Sequence, residues 1–206
     1  MKVLLVNGSP HEHGCTDMAL QIAASALQAC GIVTEIFWIG NKPIGGCVAC
    51  KACSTTGKCA FGGSVTEFAE KAKEADGFIF GSPVHYAAMS GNMTAFMDRL
   101  FYSSGASFRM KPAAGVLSAR RGGTTAAFDQ INKYFTISQM PVVSSRYWNM
   151  VHGSVAEDVL QDEEGVTCMK MLGKNMAYLL KCMEAGRQAG IPLPEQEPGV
   201  RTSFIR

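Results

Sequence analysis

The sequence predicts an α/β fold of the doubly wound class, in which helices cover both faces of a parallel sheet. The length of 206 residues suits one compact unit with a sizeable core. Short runs of β-branched residues and leucine alternate along the chain with longer segments of helical apolar spacing. Because this alternation favours right-handed crossovers, we expect a three-layer sandwich with five parallel strands in the order 2-1-3-4-5.

The predicted elements follow one another without a linker, a repeat or a low-complexity tract. The first strand, Lys2 to Asn7, stops at Gly8, and a helical pattern runs from Thr16 to Ala29. The other predicted strands are 34–39, 77–81, 113–118 and 142–145, and the other predicted helices are 64–75, 92–101, 124–139 and 166–189. Ser64 and Glu67 have the spacing of a capping box. We expect a single domain over residues 1–206, with a cysteine-rich loop at about 41–62 and a polar tail from about 192.

The composition excludes several classes of protein. A net charge of +2 argues against an electrostatic nucleic-acid binder, and 47% hydrophobic residues argue against disorder. The apolar run at residues 3–6 is too short for a signal peptide, and the longest uncharged stretch, 77–97, is broken by polar residues and so is not a membrane span. We therefore expect a soluble cytoplasmic protein whose thiols stay reduced.

The loop after the first strand is a candidate anion site. In a doubly wound sheet, ligands bind beyond the carboxyl ends of the strands, where the strand order switches. Here Ser9 and Thr16 place hydroxyls beside a helix N-terminus, whose free N–H groups suit a phosphate. His11 could add a charge-assisted hydrogen bond. The alternatives are that Ser9 and Thr16 are only turn and cap residues and that His11 is a solvated loop residue.

The loops after the third and fourth strands are candidates for contact with a flat aromatic ligand. The backbone of Pro83 to Tyr86 could bond the edge of such a ligand, and His85 or Tyr86 could supply an apolar face. Packing of either aromatic on the next helix is the alternative. After the fourth strand, Arg120 and Arg121 could support ring carbonyls or a second, phosphorylated cofactor, or could be surface charges.

Four of the eight cysteines form a local cluster. Cys47, Cys50 and Cys53 are spaced every third residue, and Cys59 follows after five more. This compact spacing suits a single 4Fe-4S cluster, because three closely spaced thiolates can wrap one side of it and a fourth can close it. A zinc site, free thiols and oxidised thiols remain open. Nearby lysines, Lys51 and Lys58, could offset the cluster's charge or attract an acidic electron carrier.

Three segments carry a resemblance to a known family: 7–10 with Gly14 and Thr16, 81–86, and 93–99. Together they resemble the flavodoxin-like NAD(P)H-dependent FMN reductase family over most of residues 1–150. The cysteine motif resembles that of the iron-sulfur flavoproteins, a branch of the same family. The resemblance implies a flavodoxin-like fold with FMN bound non-covalently.

The resemblance also implies which residues bind FMN. Its phosphate would lie at Ser9, His11, Cys15 and Thr16, and its ring at Pro83, Val84, His85 and Tyr86, with support from Ser118, Ala119 and Arg120. The expected metal ligands are Cys47, Cys50, Cys53 and Cys59. No side chain is expected to act as a catalytic acid or base, because the flavin carries the chemistry.

The expected function is that of an FMN-binding oxidoreductase or electron-transfer flavoprotein with a 4Fe-4S cluster. NADPH or NADH is a possible donor, and the expected partner is a small-molecule or ferredoxin-type electron donor or acceptor. The resemblance implies a homodimer or homotetramer. One alternative is an NAD(P)H-dependent FMN or quinone reductase without a cluster. The other is a non-enzymatic flavodoxin-like carrier or a zinc-stabilised binding module.

Overall fold

A computed structural model describes residues 1–200 and 202–204 of the chain. The strands are β1 (Lys2–Asn7), β2 (Val33–Trp38), β3 (Gly77–His85), β4 (Ala88–Met89), β5 (Ala113–Ala119) and β6 (Met150–His152). The α-helices are α1 (Cys15–Ala29), α2 (Cys53–Thr56), α3 (Ser64–Lys71), α4 (Gly91–Ser104), α5 (Thr124–Ile137) and α6 (Glu163–Gln188). In the described residues, no helix has the length and apolar character needed to cross a membrane.

The sheet confirms the predicted fold class. Five strands pair in parallel in the order β2-β1-β3-β5-β6. The short strand β4 is additional to the prediction and pairs antiparallel with the end of β3, through Val84 with Met89 and His85 with Ala88. The third strand therefore runs beyond Gly81, where the prediction ended it, and turns back as a hairpin at the carboxyl edge of the sheet.

The predicted position of the last strand, 142–145, is wrong. Only Val142 makes an isolated parallel bridge, to Ala113, and Val143 N–H donates to the Ala113 carbonyl at 2.8 Å. The chain then leaves the sheet and returns at β6, which pairs with Leu117 to Ala119. The edge strand is thus interrupted, and the part that pairs as a regular strand is only three residues long, which is too short to give a periodic sequence pattern.

The hydrophobic core forms two layers because successive residues of a strand face opposite sides of the sheet. Leu4 and Val6 of β1 pack with residues of α3, α4 and α5, including Phe68 and Phe96. Val3 and Leu5 face the other side, against α1 and α6. The side chains in both layers are fully or nearly fully buried. This is the three-layer arrangement that the sequence predicts.

Two further predictions concern the N-terminus of α3 and the polar tail of the chain. The capping box at Ser64 and Glu67 is wrong, because Gly63 holds the N-cap position with φ +71° and Ser64 is the first helical residue. Residues 192–200 of the predicted polar tail have no regular secondary structure, and Gln139 donates to Gln196 of this tail at 3.0 Å. The rest of that prediction falls partly on 201, 205 and 206, which lie outside the described residues.

Candidate functional site

The loop between β1 and α1 is held in shape by hydrogen bonds within itself. The Asn7 side-chain amide donates to the Glu12 carbonyl at 2.8 Å, and its Oδ1 accepts from Ser9 N–H at 3.0 Å. Ser9 Oγ then accepts from His11 N–H at 3.1 Å. From the end of β2, Trp38 Nε1 donates to the Ser9 carbonyl at 2.8 Å. The loop is therefore ordered by the protein's own contacts, with His11 exposed at its surface.

The N-terminus of α1 lies at the end of this loop. Gly14 holds the N-cap position and has no side chain that could satisfy the first-turn N–H groups. Thr16, in the first turn, is 1% exposed, and its hydroxyl lies 2.8 Å from Ser118 Oγ at the end of β5. The structure therefore brings together two of the predicted site residues that are far apart in sequence.

Cys15, the first residue of α1, has its thiol engaged elsewhere. Its Sγ donates to the Val155 carbonyl at 3.2 Å. Burial raises the pKa of the Cys15 thiol, and the nearby carboxylates of Asp158 and Glu157 raise it further. The thiol is therefore neutral at neutral pH and adds no negative charge beside the helix N-terminus, where an anion would bind.

The hairpin of β3 and β4 carries the predicted ring-contact residues. At its tip, Tyr86 and Ala87 have φ of 50° and 59°, the pair of positive values that a type I′ turn needs. Neither residue is glycine or asparagine, so this backbone is strained. The Tyr86 ring is fully exposed, which rules out the alternative that it packs on the next helix. The hairpin thus presents an aromatic face to solvent at the carboxyl edge of the sheet.

Close backbone contacts join the three predicted loops. Gly8 N–H donates to the Gly81 carbonyl at 2.9 Å, which ties the first loop to β3. A Cβ on Gly8 would lie 2.5 Å from Met93 Sδ, so a larger residue would clash there. Gly123, with φ +93°, brings the start of α5 against the hairpin, and a Cβ on it would lie 2.9 Å from the Ala87 Cα. The three loops therefore form one continuous edge.

Two buried serines at this edge are not among the site residues predicted from the sequence. Ser90 Oγ caps α4 by accepting from Met93 N–H at 3.2 Å and donates to the Gly8 carbonyl at 2.9 Å. Ser82 Oγ accepts from Ser90 N–H at 3.0 Å. A serine before a helix start is a recognisable N-cap signal, so Ser90 could have been found. The sequence contained no comparable signal for Ser82 or for Trp38.

The loop after β5 combines a buried end with exposed charges. Ser118 is buried, and the Ala119 carbonyl accepts from Gly153 N–H at 3.1 Å. Arg120 and Arg121 are exposed, and neither has an ion pair with any carboxylate that the structure describes. These guanidiniums are free to meet an anionic or carbonyl-bearing ligand.

The four clustered cysteines lie around one cavity. All four are free thiols and line it together with side chains that include Phe61, Arg99 and Tyr102. Within the described ranges, no three side chains of the metal-binding types are close enough to hold a metal ion as they stand. Ala49 and Lys51 have φ of 52° and 60°, a left-handed backbone between the cysteines of the kind that forms concave anion-binding nests.

Helix α4 anchors this loop at both ends. At its start, Asn92 donates to the Lys42 carbonyl at 3.0 Å and accepts from Ile44 N–H at 3.1 Å. Further along the helix, Arg99 Nε donates to Cys59 Sγ at 3.2 Å, and its Nη2 donates to the Gly62 carbonyl at 2.7 Å. The Arg99 side chain is therefore a direct link between the protein core and the fourth cysteine.

Comparison with known proteins decides the family. Residues 1–154 match the family model described as NADPH-dependent FMN reductase. This chain belongs to the NADPH-dependent FMN reductase family. The matched residues include all three loops of the carboxyl edge and the whole cysteine cluster.

Relatives in this family extend the match to most of the chain. An iron-sulfur flavoprotein of Methanocaldococcus jannaschii is 33% identical over 192 residues, which cover 89% of this chain and 100% of the relative. An iron-sulfur flavoprotein of Archaeoglobus fulgidus is 27% identical over 87% of this chain and 97% of the relative. A solved flavodoxin from the domain Archaea has a TM-score of 0.60 at 16% identity, covering 88% of this chain and 99% of that one. That structural likeness concerns the fold alone.

Membership of the FMN reductase family confirms the expected general activity. The protein is an FMN-binding flavin oxidoreductase with a flavodoxin-like fold. FMN has a phosphate and a flat ring system, and the carboxyl edge contains a helix N-terminus and an exposed hairpin aromatic. The chemistry of the edge therefore matches the cofactor of the family.

Proposed function

We propose that this protein is an electron-transfer flavoprotein that holds FMN at the carboxyl edge of its sheet and a 4Fe-4S cluster on the loop from Cys47 to Cys59. One observation carries the proposal: all four cysteines of the motif line the same cavity. In addition, a buried arginine donates a hydrogen bond to one of their sulfurs. The names of the two relatives, iron-sulfur flavoproteins, support iron-sulfur over zinc.

We assign the FMN phosphate to the first loop and the start of α1. The backbone there offers first-turn N–H groups beyond Gly14, and the hydroxyls of Ser9 and Thr16 lie beside them. His11 is exposed on the same loop and adds a positive charge when protonated. Cys15 contributes through its position in the first turn, since its thiol bonds the Val155 carbonyl.

We assign the flavin ring to the hairpin and the loop after β5. The strained turn holds Tyr86 fully exposed, so its ring can lie against a flat ligand without rearrangement. Pro83, Val84 and His85 precede it along the same edge, and Ser118, Ala119 and Arg120 lie across from it. Arg120 is an exposed cation that could meet the negative charge that a reduced flavin gains.

The chemistry of the cysteine loop fits a thiolate-ligated cluster. Cysteine thiolates are the usual ligands of iron-sulfur clusters, and the left-handed backbone at Ala49 and Lys51 suits the negative charge that such a site carries. The cluster supplies one-electron transfer and FMN supplies one- or two-electron transfer, so the chain needs to position the two groups and set their potentials. No acid or base side chain is assigned to the reaction.

Our proposals for the donor and the partner are supported by the exposed charges. Arg120 and Arg121 could bind the phosphates of NADPH or NADH, which we propose as possible donors. Lys51 is exposed beside the cysteines and suits the acidic surface of a ferredoxin-type carrier, whereas Lys58 already pairs with Glu70 at 2.9 Å. We further propose one domain, a cytoplasmic location and a homodimer or homotetramer.

The cluster is tested by comparing the iron and FMN content of two variants, Cys50→Ser and Cys182→Ser. Cys50 lines the cavity and Cys182 is an exposed cysteine of α6, so the two changes remove the same atom from different places. After anaerobic reconstitution, Cys50→Ser should lose its iron and keep FMN, whereas Cys182→Ser should keep both. Full iron content in Cys50→Ser would contradict the ligand assignment.

A further inference from the structure

Arg99 is a buried cation whose partners are unusual. It is only 7% exposed, and burying a charge is costly unless an opposite charge or several hydrogen bonds compensate it. Among residues 1–200 and 202–204, no carboxylate forms an ion pair with it. Its polar contacts are the Cys59 sulfur at 3.2 Å and the Gly62 carbonyl at 2.7 Å, and its guanidinium lies 5.7 Å from the centre of the Phe61 ring.

The neighbouring charges do not supply the missing partner. Asp98, the next residue, accepts a hydrogen bond from the Tyr134 hydroxyl at 2.5 Å. Glu70 pairs with Lys58 and with Lys73 at the edge of the cysteine loop. The group left to balance Arg99 is therefore the site that the cysteines line, with Cys59 in direct contact.

We propose that Arg99 is a positioning residue of the cluster site, which holds the Cys59 sulfur in place and raises the reduction potential of the cluster that this sulfur ligates. This inference rests on the proposed 4Fe-4S site and adds the residue that sets its potential. It is carried by the burial of Arg99 and by its hydrogen bond to a ligand sulfur.

The direction of the effect follows from charge. In reduction, one electron passes from a reductant such as dithionite to the cluster, no bond to the protein forms or breaks, and the site becomes more negative by one charge. A guanidinium stays protonated at all working pH values, so the positive charge of Arg99 is fixed. Cys47 and Cys50 are exposed at this site, whereas Arg99 is buried against Cys59, and its fixed charge favours the more negative, reduced state.

The hydrogen bond acts in the same direction. Hydrogen bonds to cluster sulfurs are among the features that set the potential of an iron-sulfur site. The fork of the guanidinium lets Nε reach Cys59 while Nη2 reaches Gly62, three residues later, so one side chain fixes both ends of that turn. A lysine has a similar charge without this fork.

The experiment compares Arg99→Gln and Arg99→Lys with wild type and with Arg109→Gln. Arg109 is an arginine that contacts Gln139 and Pro194, away from the cysteines, so it is a matched control. Each protein is reconstituted anaerobically with iron, sulfide and FMN. Iron content and FMN content are measured, and the cluster is titrated with dithionite while its EPR signal is followed.

We expect Arg99→Gln to lower the ratio of reduced to oxidised cluster at a fixed potential by about tenfold, which is about 59 mV for a one-electron couple. Arg99→Lys should lie between wild type and Arg99→Gln, and Arg109→Gln should match wild type. If Arg99→Gln loses iron while keeping FMN, restoration of iron in Arg99→Lys would support the positioning role.

Three results would overturn the inference. They are an unchanged potential in Arg99→Gln with full iron content, an equal shift in Arg109→Gln, and a loss of iron that Arg99→Lys does not restore. A wild-type protein that binds FMN but assembles no cluster would instead contradict the proposed function itself. The two failures are therefore distinguishable in one set of samples.

Discussion

The hydrogen bond between Thr16 and Ser118 is the direct side-chain link between the start of α1 and the end of β5. Both residues are nearly completely buried, and their hydroxyl oxygens are 2.8 Å apart. Thr16→Val keeps the shape of the side chain but leaves the Ser118 hydroxyl buried without this partner. Such a loss costs about 1–3 kcal/mol of folding free energy. Ser118→Ala should cost a similar amount by leaving the Thr16 hydroxyl unpaired.

The double variant distinguishes this pair from two independent contacts. Removing both hydroxyls leaves neither one unpaired, so the double variant should be more stable than the sum of the single changes predicts, with a coupling of about 0.5–3 kcal/mol. Urea unfolding of the FMN-free protein measures these values, and Thr16→Ser serves as the control that keeps the hydroxyl. Strictly additive effects would show that the two hydroxyls do not act as a pair. A Thr16→Val protein as stable as wild type would show that their hydrogen bond does not stabilise the fold.

Three further predictions concern other positions. Gly123→Ala should destabilise the protein by about 1–3 kcal/mol and weaken FMN binding, because Gly123 has φ +93° and the new Cβ would lie 2.9 Å from the Ala87 Cα. An effect no larger than that of Gly122→Ala would contradict this prediction. Asp162→Ala should lower the free energy of unfolding, measured by thermal denaturation, by about 1–2 kcal/mol, because the Asp162 carboxylate accepts from Gly165 N–H at 2.9 Å and His152 N–H at 2.8 Å. Asp162→Asn should lower it less. Hydrogen bonds from Lys2 and Lys71 lower the pKa of Glu35, so the contribution of the Glu35 carboxylate to stability is present above pH 4.5 and is lost as pH falls through the lowered pKa. Glu35→Gln should remove that part of the loss of stability in acid.

Much of the fold could be predicted because its central elements have strong local patterns. β1 and β5 are continuous runs of buried residues. The helix α1 was predicted from the spacing of Met18, Ile22, Ala26 and Ala29, but its buried face is formed by the neighbouring apolar residues, including Leu20, Ala23 and Leu27, which also recur at helical spacing. Their packing agrees with their local preference, so the sequence signal and the tertiary structure coincide. β6 could not be found in the same way, because three residues become a strand only through pairing with β5.

The hairpin at the end of β3 shows a different limit. Type I′ turns usually carry glycine or asparagine, and this one carries Tyr86 and Ala87. The sequence therefore has no turn signal there, and the conformation is fixed by its surroundings, including the close approach of Gly123. A strained turn of this kind is typical of binding sites, where the surrounding structure holds a side chain in place although the backbone conformation is locally unfavourable.

The candidate site was predictable in its parts but not in its connections. The hydroxyls, the hairpin aromatics and the cysteine spacing are visible as residue types in the sequence. The Thr16–Ser118 and Arg99–Cys59 contacts join residues 102 and 40 positions apart, and no local pattern predicts them. Arginine is mostly exposed, so the sequence gives no reason to expect Arg99 in the interior.

The most direct test of the proposed pair of cofactors is the FMN, iron and zinc content of the wild-type protein after anaerobic purification and reconstitution. We predict one FMN and about four irons per chain, with the absorption of a flavin and an iron-sulfur cluster together. Bound FMN with zinc in place of iron, or with no metal after reconstitution, would contradict this prediction.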